Sequence, residues 1–116
     1  MGWIVILLVI GLIVWRTMPA KGVRTVSPEV VKPLLKQKGN QFIDVRTPGE
    51  YSGRHVKEFK SIPLNDLPKR LGELDKDKPV YVICQSGMRS GRAASLLKKK
   101  GFSDVVNVKG GMSAWR

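Results

Sequence analysis

The chain has 116 residues, which is enough for one domain of ordinary size rather than a multidomain enzyme. Its 21 Lys and Arg residues outnumber 9 Asp and Glu residues, so the formal net charge is +12, and apolar residues make up 42% of the chain. The single cysteine is Cys84. This composition excludes a disordered chain, a collagen-like chain and a secreted module held together by disulfides.

The N-terminal segment is strongly apolar, because no polar or charged side chain occurs from Gly2 to Trp15. With Met1 and the residues up to Met18 it reaches roughly 18 residues, which is just enough to cross a bilayer core of about 30 Å as a helix. Trp residues lie near both ends, as is usual at membrane interfaces. The sequence predicts a transmembrane helix over residues 1–18 and a linker over 19–22.

The predicted topology follows from the basic residues after this helix, which are Arg16, Lys21 and Arg24. By the positive-inside rule they place the domain, residues 23–116, in the cytoplasm, as part of a single-pass protein of the cell membrane. The alternative is a cleaved secretory signal. It is disfavoured because nothing basic precedes the apolar run and no small-x-small cleavage site follows it.

The rest of the chain alternates short apolar runs with helical patterns. Ser27 and Pro28 form an N-cap and first-turn pair, and Thr47 with Glu50 has the form of a capping box. In chain order the patterns predict an edge strand over 23–26, a helix from 28 weakened at Pro33, a strand over 41–45, a helix from 48, an extended segment over 60–64, a helix over 65–74, a strand over 80–83, a helix over 90–100, a strand over 105–108 and a short final helix. Short apolar strands between helices indicate one α/β domain with a parallel sheet flanked by helices.

The segment that follows the most apolar strand contains the candidate catalytic residue. Cys84 stands at the carboxyl end of that strand, where ligands bind in open parallel sheets. The next helix offers free backbone N–H groups, Gly87 allows the loop to curl, and Arg89 and Arg92 add positive charge. These features lower a cysteine pKa from about 8.5 and favour a nucleophilic thiolate. The alternative reading is a small buried residue that closes a strand.

Four motifs in this order resemble the rhodanese family of single-domain sulfurtransferases, over roughly residues 23–116. The segment from Cys84 to Ser90 is similar to that family's active loop. The others are the segment 42–51, His55-Val56 with the Ile-Pro element at 61–64, and the glycine-rich segment 106–115. One departure is Gln85, which stands where many active members carry arginine, and another is Glu58-Phe59, where a Gly-Ala pair is usual.

The resemblance implies a rhodanese-like fold and a catalytic Cys84 that carries sulfur as a persulfide. The donor would be thiosulfate or a persulfide, and the acceptor a thiol, cyanide or a partner protein, with no metal and no organic cofactor. Asp44 and Arg46 are expected to support the site by ion pairing. The residues expected to bind the donor are Gln85, Ser86, Gly87, Met88, Arg89 and Ser90.

Three other functions are open at this point. A non-catalytic rhodanese-like module tethered to the membrane would share the fold without the reaction. A cysteine phosphatase or arsenate reductase is disfavoured, because four residues rather than five separate Cys84 from Arg89. Lys98–Lys100 could contact RNA, but cations also suit the last turn of a helix, and no nucleic-acid motif is present, so no nucleic-acid partner is expected. His55 is expected to be structural.

Overall fold

The computed structural model describes residues 2–17 and 22–116, and the described strands form one parallel sheet in the order β1-β5-β4-β2-β3. The strands are β1 (Val23–Val26), β2 (Gln41–Asp44), β3 (Lys60–Ser61), β4 (Val80–Ile83) and β5 (Val105–Val108). The helices are α1 (Gly2–Thr17), α2 (Pro28–Val31), α3 (Pro48–Gly53), α4 (Met88–Lys99) and α5 (Gly111–Ala114). The predicted α/β class and the parallel sheet are confirmed.

Strand β4 lies at the centre of the sheet, and all four of its residues are buried. Its register places Val82 beside Ile43 of β2 and beside Asn107 of β5. A run of apolar residues without alternation suits this position because both faces of a central parallel strand are covered. The carboxyl ends of β2, β4 and β5 therefore reach the same edge of the sheet, where Cys84 follows β4.

The two faces of the sheet carry different cores. On one face, α4 packs its buried Ala93, Ala94 and Leu97 against aliphatic side chains of the sheet. On the other face, aromatic rings pack among aliphatic side chains, and Phe59 makes an edge contact with Trp115 at a centroid distance of 5.7 Å. The aromatic residues of this second core are Phe42, Phe59, Tyr81 and Trp115. The two cores therefore cover both faces of β4 and β5, which lead to the loop that contains Cys84.

Several predicted boundaries differ from the observed ones. Helix α4 begins at Met88, two residues before the predicted start, because Gly87 adopts φ +103° and turns the chain into the helix. The predicted helix over 65–74 consists instead of two 3-10 turns, Leu67–Lys69 and Leu71–Glu73. Pro68, which has no amide hydrogen, and Gly72 disfavour a continuous α-helix there.

Proline also shortens two other predicted elements. The helix after Ser27 is α-helical only to Val31 and continues as a 3-10 turn that contains Pro33. The extended segment predicted over 60–64 is a strand only at β3, since Pro63 cannot donate to a neighbouring strand. Neither difference moves the carboxyl edge of the sheet.

The predicted transmembrane helix over residues 1–18 is not found. Helix α1 has 16 residues, about 24 Å at 1.5 Å per residue, whereas a bilayer core is about 30 Å thick. Across residues 2–17 and 22–116 the structure contains no helix that is both long enough and apolar enough to span a membrane. The predicted span also included Met1 and Met18, which lie outside the described residues, as does most of the predicted linker.

Candidate active site

The loop after β4 surrounds the sulfur of Cys84 with hydrogen-bond donors. The side chain is buried, and its Sγ accepts the backbone N–H of Gly87 over 3.0 Å. Ser90, in the first turn of α4, places its Oγ 3.3 Å from the same sulfur. Because Gly87 has φ +103°, its amide turns back toward the residue where the loop began. The loop is therefore a short ring of backbone closed around one thiol.

The electrostatic balance in this ring favours the thiolate. Burial raises the pKa of the Cys84 thiol, because a charged sulfur loses hydration. Hydrogen bonds from the Ser90 hydroxyl and from the backbone N–H groups of Ser90, Gly87 and Ser86 lower the pKa. Together these hydrogen bonds outweigh burial, so the pKa of Cys84 lies below its ordinary value. A lower pKa increases the fraction of Cys84 that is thiolate, which is the nucleophilic form of the side chain.

The Ser90 hydroxyl is shared between Cys84 and a side chain on β5. Its Oγ lies 2.5 Å from Oδ1 of Asn107, and Nδ2 of Asn107 donates to the carbonyl of Gly87 over 3.4 Å. A serine hydroxyl has one proton, so it donates to Asn107 when Cys84 is a thiol and can turn to donate to the sulfur when Cys84 is a thiolate. Asn107 thus ties β5 to both Ser90 and the loop.

The C-terminal segment supports the loop from behind. The backbone N–H of Met112 donates to the carbonyl of Cys84 over 2.8 Å, and that of Ser113 donates to the carbonyl of Gln85 over 3.0 Å. Gly111 has φ +54°, and a Cβ placed there would lie 2.8 Å from the carbonyl carbon of Cys84. Only glycine allows α5 to approach the loop this closely.

Arg89 is directed toward a carboxylate at the start of α3. Its Nη1 and Nη2 donate to the two carboxylate oxygens of Glu50 over 2.6 and 2.9 Å. Glu50 also accepts the backbone N–H of Thr47 over 3.1 Å, which completes the predicted capping box. The hydrogen bonds from Arg89, with those from Thr47, lower the pKa of Glu50 to about 2. The guanidinium charge of Arg89 is therefore paired within the protein.

Asp44 and Arg46 form a buried ion pair at the end of β2. Arg46 donates from Nη2 to Asp44 Oδ2 over 2.8 Å and from Nε to Asp44 Oδ1 over 3.0 Å. The same guanidinium donates to the carbonyl of Arg54 over 2.6 Å and reaches Oε1 of Gln85 at 3.4 Å. The pair has the geometry expected of a supporting element, since it connects the segment after β2 with the residue that follows Cys84.

A family model described as Rhodanese-like domain matches residues 27–116. The chain belongs to the rhodanese-like domain family. The thiosulfate sulfurtransferase GlpE of Pseudomonas syringae is 34% identical over 93 residues, which cover 80% of this chain and 87% of GlpE. The crystal structure of a rhodanese-like domain protein from Staphylococcus aureus superposes with a TM-score of 0.75 at 33% identity, over 80% of this chain and 91% of the other.

A further relative is YqhL of Bacillus subtilis, an uncharacterized protein that is 48% identical over 75 residues. The match covers 65% of this chain and 60% of YqhL, so the chain spans less than two thirds of that relative's length. The rhodanese-like assignment and the parallel sheet flanked by helices are therefore established for residues 27–116, as the sequence motifs indicated.

The rhodanese-like loop does not bring all of its predicted binding residues to the sulfur. Gly87, Ser90 and the backbone N–H of Ser86 contact the sulfur of Cys84, whereas the side chains of Gln85, Ser86 and Met88 are exposed. Gln85 donates from Nε2 to the Ser113 hydroxyl over 3.1 Å. His55 packs against Tyr51, with ring centroids 4.0 Å apart and Nδ1 2.8 Å from the Tyr51 carbonyl oxygen.

Three residues of the site were not among the predicted ones. Glu50 was identified only as a helix cap, and its pairing with Arg89 depends on the tertiary fold, which brings the start of α3 near the start of α4. Asn107 and Ser113 come from the last strand and helix, and their contacts with Ser90 and Gln85 depend on the order of strands in the sheet. Two signals were available for Asn107: it is a polar residue inside the apolar strand 105–108, and it lies in the glycine-rich motif over 106–115. Within residues 2–17 and 22–116 no cluster of three His, Cys, Asp or Glu side chains could hold a metal ion.

Proposed function

We propose that the chain is a sulfurtransferase or persulfide carrier, which takes sulfane sulfur from a thiosulfate- or persulfide-type donor and passes it to a thiophilic acceptor. The observation that carries this proposal is the ring around Cys84, where Sγ accepts the Gly87 N–H over 3.0 Å and lies 3.3 Å from the Ser90 hydroxyl. The ring favours a nucleophilic thiolate, and it also suits the negative charge that a persulfide carries. The likeness to GlpE, named a thiosulfate sulfurtransferase, supports the same activity.

In the first step the Cys84 thiolate attacks the outer sulfur of the donor. With thiosulfate, a bond forms between Cys84 Sγ and that outer sulfur, and the bond between the two sulfur atoms of thiosulfate breaks. The bonding electron pair leaves with sulfite, and the negative charge of the former thiolate resides on the terminal sulfur of the persulfide. The step needs neither an added oxidant nor a cofactor, because the donor's outer sulfur is already in the sulfane state.

In the second step an acceptor thiolate or cyanide attacks the terminal sulfur of the Cys84 persulfide. The new bond joins the acceptor to that sulfur, and the bond to Cys84 Sγ breaks with its electron pair on Sγ. Cys84 returns to the thiolate that began the cycle. The N–H groups donate to the negative sulfur throughout, to Sγ before the first step and after the second and to the persulfide in between, so the same ring serves both half-reactions.

The roles of the other residues follow from their contacts. The Gly87 amide and the Ser90 hydroxyl stabilise charge on sulfur, and Asn107 accepts the Ser90 hydroxyl proton when Cys84 is a neutral thiol. Because Arg89 is paired with Glu50, its role in this proposal is to fix the start of α4, and its charge is only partly available to an anionic donor. With Gln85 in place of arginine, backbone amides provide more of the stabilisation of an anionic donor.

The test is the intact mass of the full chain after incubation with thiosulfate, beside the Cys84→Ser variant. We expect a gain of about 32 Da, one sulfur atom, that disappears on addition of cyanide. The chain has one cysteine, so the variant should gain nothing under the same conditions. If neither thiosulfate nor a more reactive low-molecular-weight persulfide loads the chain, the catalytic proposal is wrong and a non-catalytic rhodanese-like module is the better description.

A further inference from the structure

A groove runs beside the active loop, between the edge strand β1 and helix α4. It encloses a cavity of about 520 Å³. The strand side is formed by Val23 and Thr25, which lie on the same face of β1 because side chains alternate along a strand. The helix side is formed by Met88, Arg92, Ser95 and Lys99.

The helix residues of this groove form one stripe. They follow each other at intervals of four, three and four residues, which places them on the same face of α4. The stripe runs the whole length of the helix from Met88 to Lys99, about 16 Å at 1.5 Å per residue. A groove of this length accommodates roughly five residues of extended polypeptide.

One end of the groove lies at the active loop. Met88, the first residue of α4, directly follows the loop and is 73% exposed, although it is a large apolar side chain. Asn107, which also lines the groove, donates to the Gly87 carbonyl and lies 2.5 Å from the Ser90 hydroxyl. A segment seated in the groove therefore ends beside the residues that contact the sulfur of Cys84.

The charge of the groove is positive and uncompensated. Arg92 and Lys99 are exposed, and no acidic side chain of the described residues either lines the groove or pairs with them. By contrast, Arg24 on the opposite face of β1 is paired with Asp104 at 3.0 Å. A polypeptide that carries carboxylates along an extended segment would match this groove in both charge and length.

We infer that the groove between β1 and α4 docks an acidic, extended segment of the protein that accepts sulfur from Cys84. That the docked protein accepts sulfur rests on the proposed function, whereas the docking itself rests on the shape and charge of the groove. In the transfer step a cysteine thiolate on the docked protein attacks the terminal sulfur of the Cys84 persulfide. The acceptor leaves as a persulfide and Cys84 returns to a thiolate.

Binding can be measured without any sulfur chemistry by using the full chain with Cys84→Ser. Two fluorescently labelled hexapeptides serve as probes: the acidic peptide Glu-Glu-Val-Glu-Glu-Gly and a basic counterpart with lysine at every glutamate. Fluorescence anisotropy measures the binding of each. We expect the acidic peptide to bind at least about tenfold more tightly than the basic one, and its binding to weaken as salt is raised. Equal binding of the two peptides, or no binding of the acidic one, overturns the docking proposal.

Two charge-reversal variants separate the groove from the overall charge of the chain. R92E/K99E places both changes in the groove, whereas K36E/K38E places them on exposed residues just before β2, outside it. The two variants have the same net charge. We expect R92E/K99E to weaken binding of the acidic peptide about tenfold or more, and K36E/K38E less than about twofold. Equal losses would mean that binding follows net charge, which would contradict the proposal.

The role of the docked segment is tested with the chain that retains Cys84. After loading with sulfur, the rate of transfer is measured to the same hexapeptides extended by a C-terminal cysteine, relative to the rate with free cysteine. We expect the acidic peptide to be preferred, and the preference to be lost in R92E/K99E. Failure to load Cys84 would contradict the proposed function while leaving the binding result standing. Normal loading without a preference among peptides would contradict the acceptor assignment alone.

Discussion

Cys84 has a depressed pKa because a few hydrogen bonds outweigh the effect of its burial. The Gly87 amide is supplied by backbone geometry, so any substitution that preserves the loop preserves it. The Ser90 hydroxyl is supplied by a side chain and can be removed on its own. Ser90 therefore offers the cleanest way to change the charge state of the sulfur without moving the backbone.

Ser90→Ala should raise the pKa of Cys84, because the variant lacks the hydroxyl that stabilises the thiolate while burial still opposes it. The smaller thiolate fraction should slow alkylation by iodoacetamide at pH 7 by about tenfold, the value of one hydrogen bond to a charged group. The measurement is the alkylation rate as a function of pH. Ser86→Ala is the matched control, since Ser86 contributes only its backbone N–H. Identical pH profiles for the wild type and Ser90→Ala would contradict this account.

Gly111→Ala should disrupt the support behind the loop. The new methyl group would meet the Cys84 backbone at less than van der Waals distance, and φ +54° is strained for alanine. We expect a loss of about 3 kcal/mol or more in the free energy of unfolding, measured by urea denaturation. Gly49→Ala is the control, because Gly49 lies in α3 with open space around it. A Gly111→Ala chain as stable as the control would show that α5 does not press on the loop.

Helices α3 and α4 are joined at the site by the pair of Glu50 and Arg89. Thr47 caps α3 and also donates to Glu50, so one carboxylate completes a helix cap and holds the start of the neighbouring helix. Capping predicted the first contact, since it depends on residues three apart in the chain. The second contact joins residues 39 apart, and it requires the tertiary fold to bring the starts of the two helices together.

This pair should make stability depend on pH. The pKa of Glu50 is about 2 in the folded chain and 4.5 without its partners, so its contribution is present above pH 4.5 and is lost as the pH falls toward 2. Glu50→Gln should lower the free energy of unfolding by about 1 kcal/mol at pH 7, and the difference from the wild type should shrink below pH 4.5. Urea denaturation at pH 7, 5 and 3 measures it, with Glu58→Gln, an exposed residue, as control. A constant difference across this range would contradict the assignment.

At the scale of the whole molecule, the length of helix α1 decides the prediction of a membrane-spanning segment. The apolar N-terminal run predicted a membrane-spanning helix, but the observed helix α1 has only 16 residues. The location on the cytoplasmic side of a membrane, which was inferred from the basic residues after that run, stays a prediction. The net charge of +12 is unevenly available to a binding partner. Cations such as Arg24 and Arg89 are paired with carboxylates, whereas Arg92 and Lys99 are not paired with any described residue.

The sequence alone determined the α/β class, the parallel sheet and the rhodanese-like family, since these follow from local apolar patterns and from motifs in a fixed order. It also placed Cys84 between a buried strand and a helix start, because that arrangement is local. The catalytic role of Cys84 stays a prediction. The sequence could not identify Asn107, Gly111 or Glu50 as parts of the site. Each of these reaches the Cys84 segment because the order β1-β5-β4-β2-β3 places β5 and β2 on either side of β4, so the segments after these strands meet at one edge of the sheet. Such contacts depend on packing between distant segments, so only the tertiary structure decides which hydrogen bonds surround the sulfur.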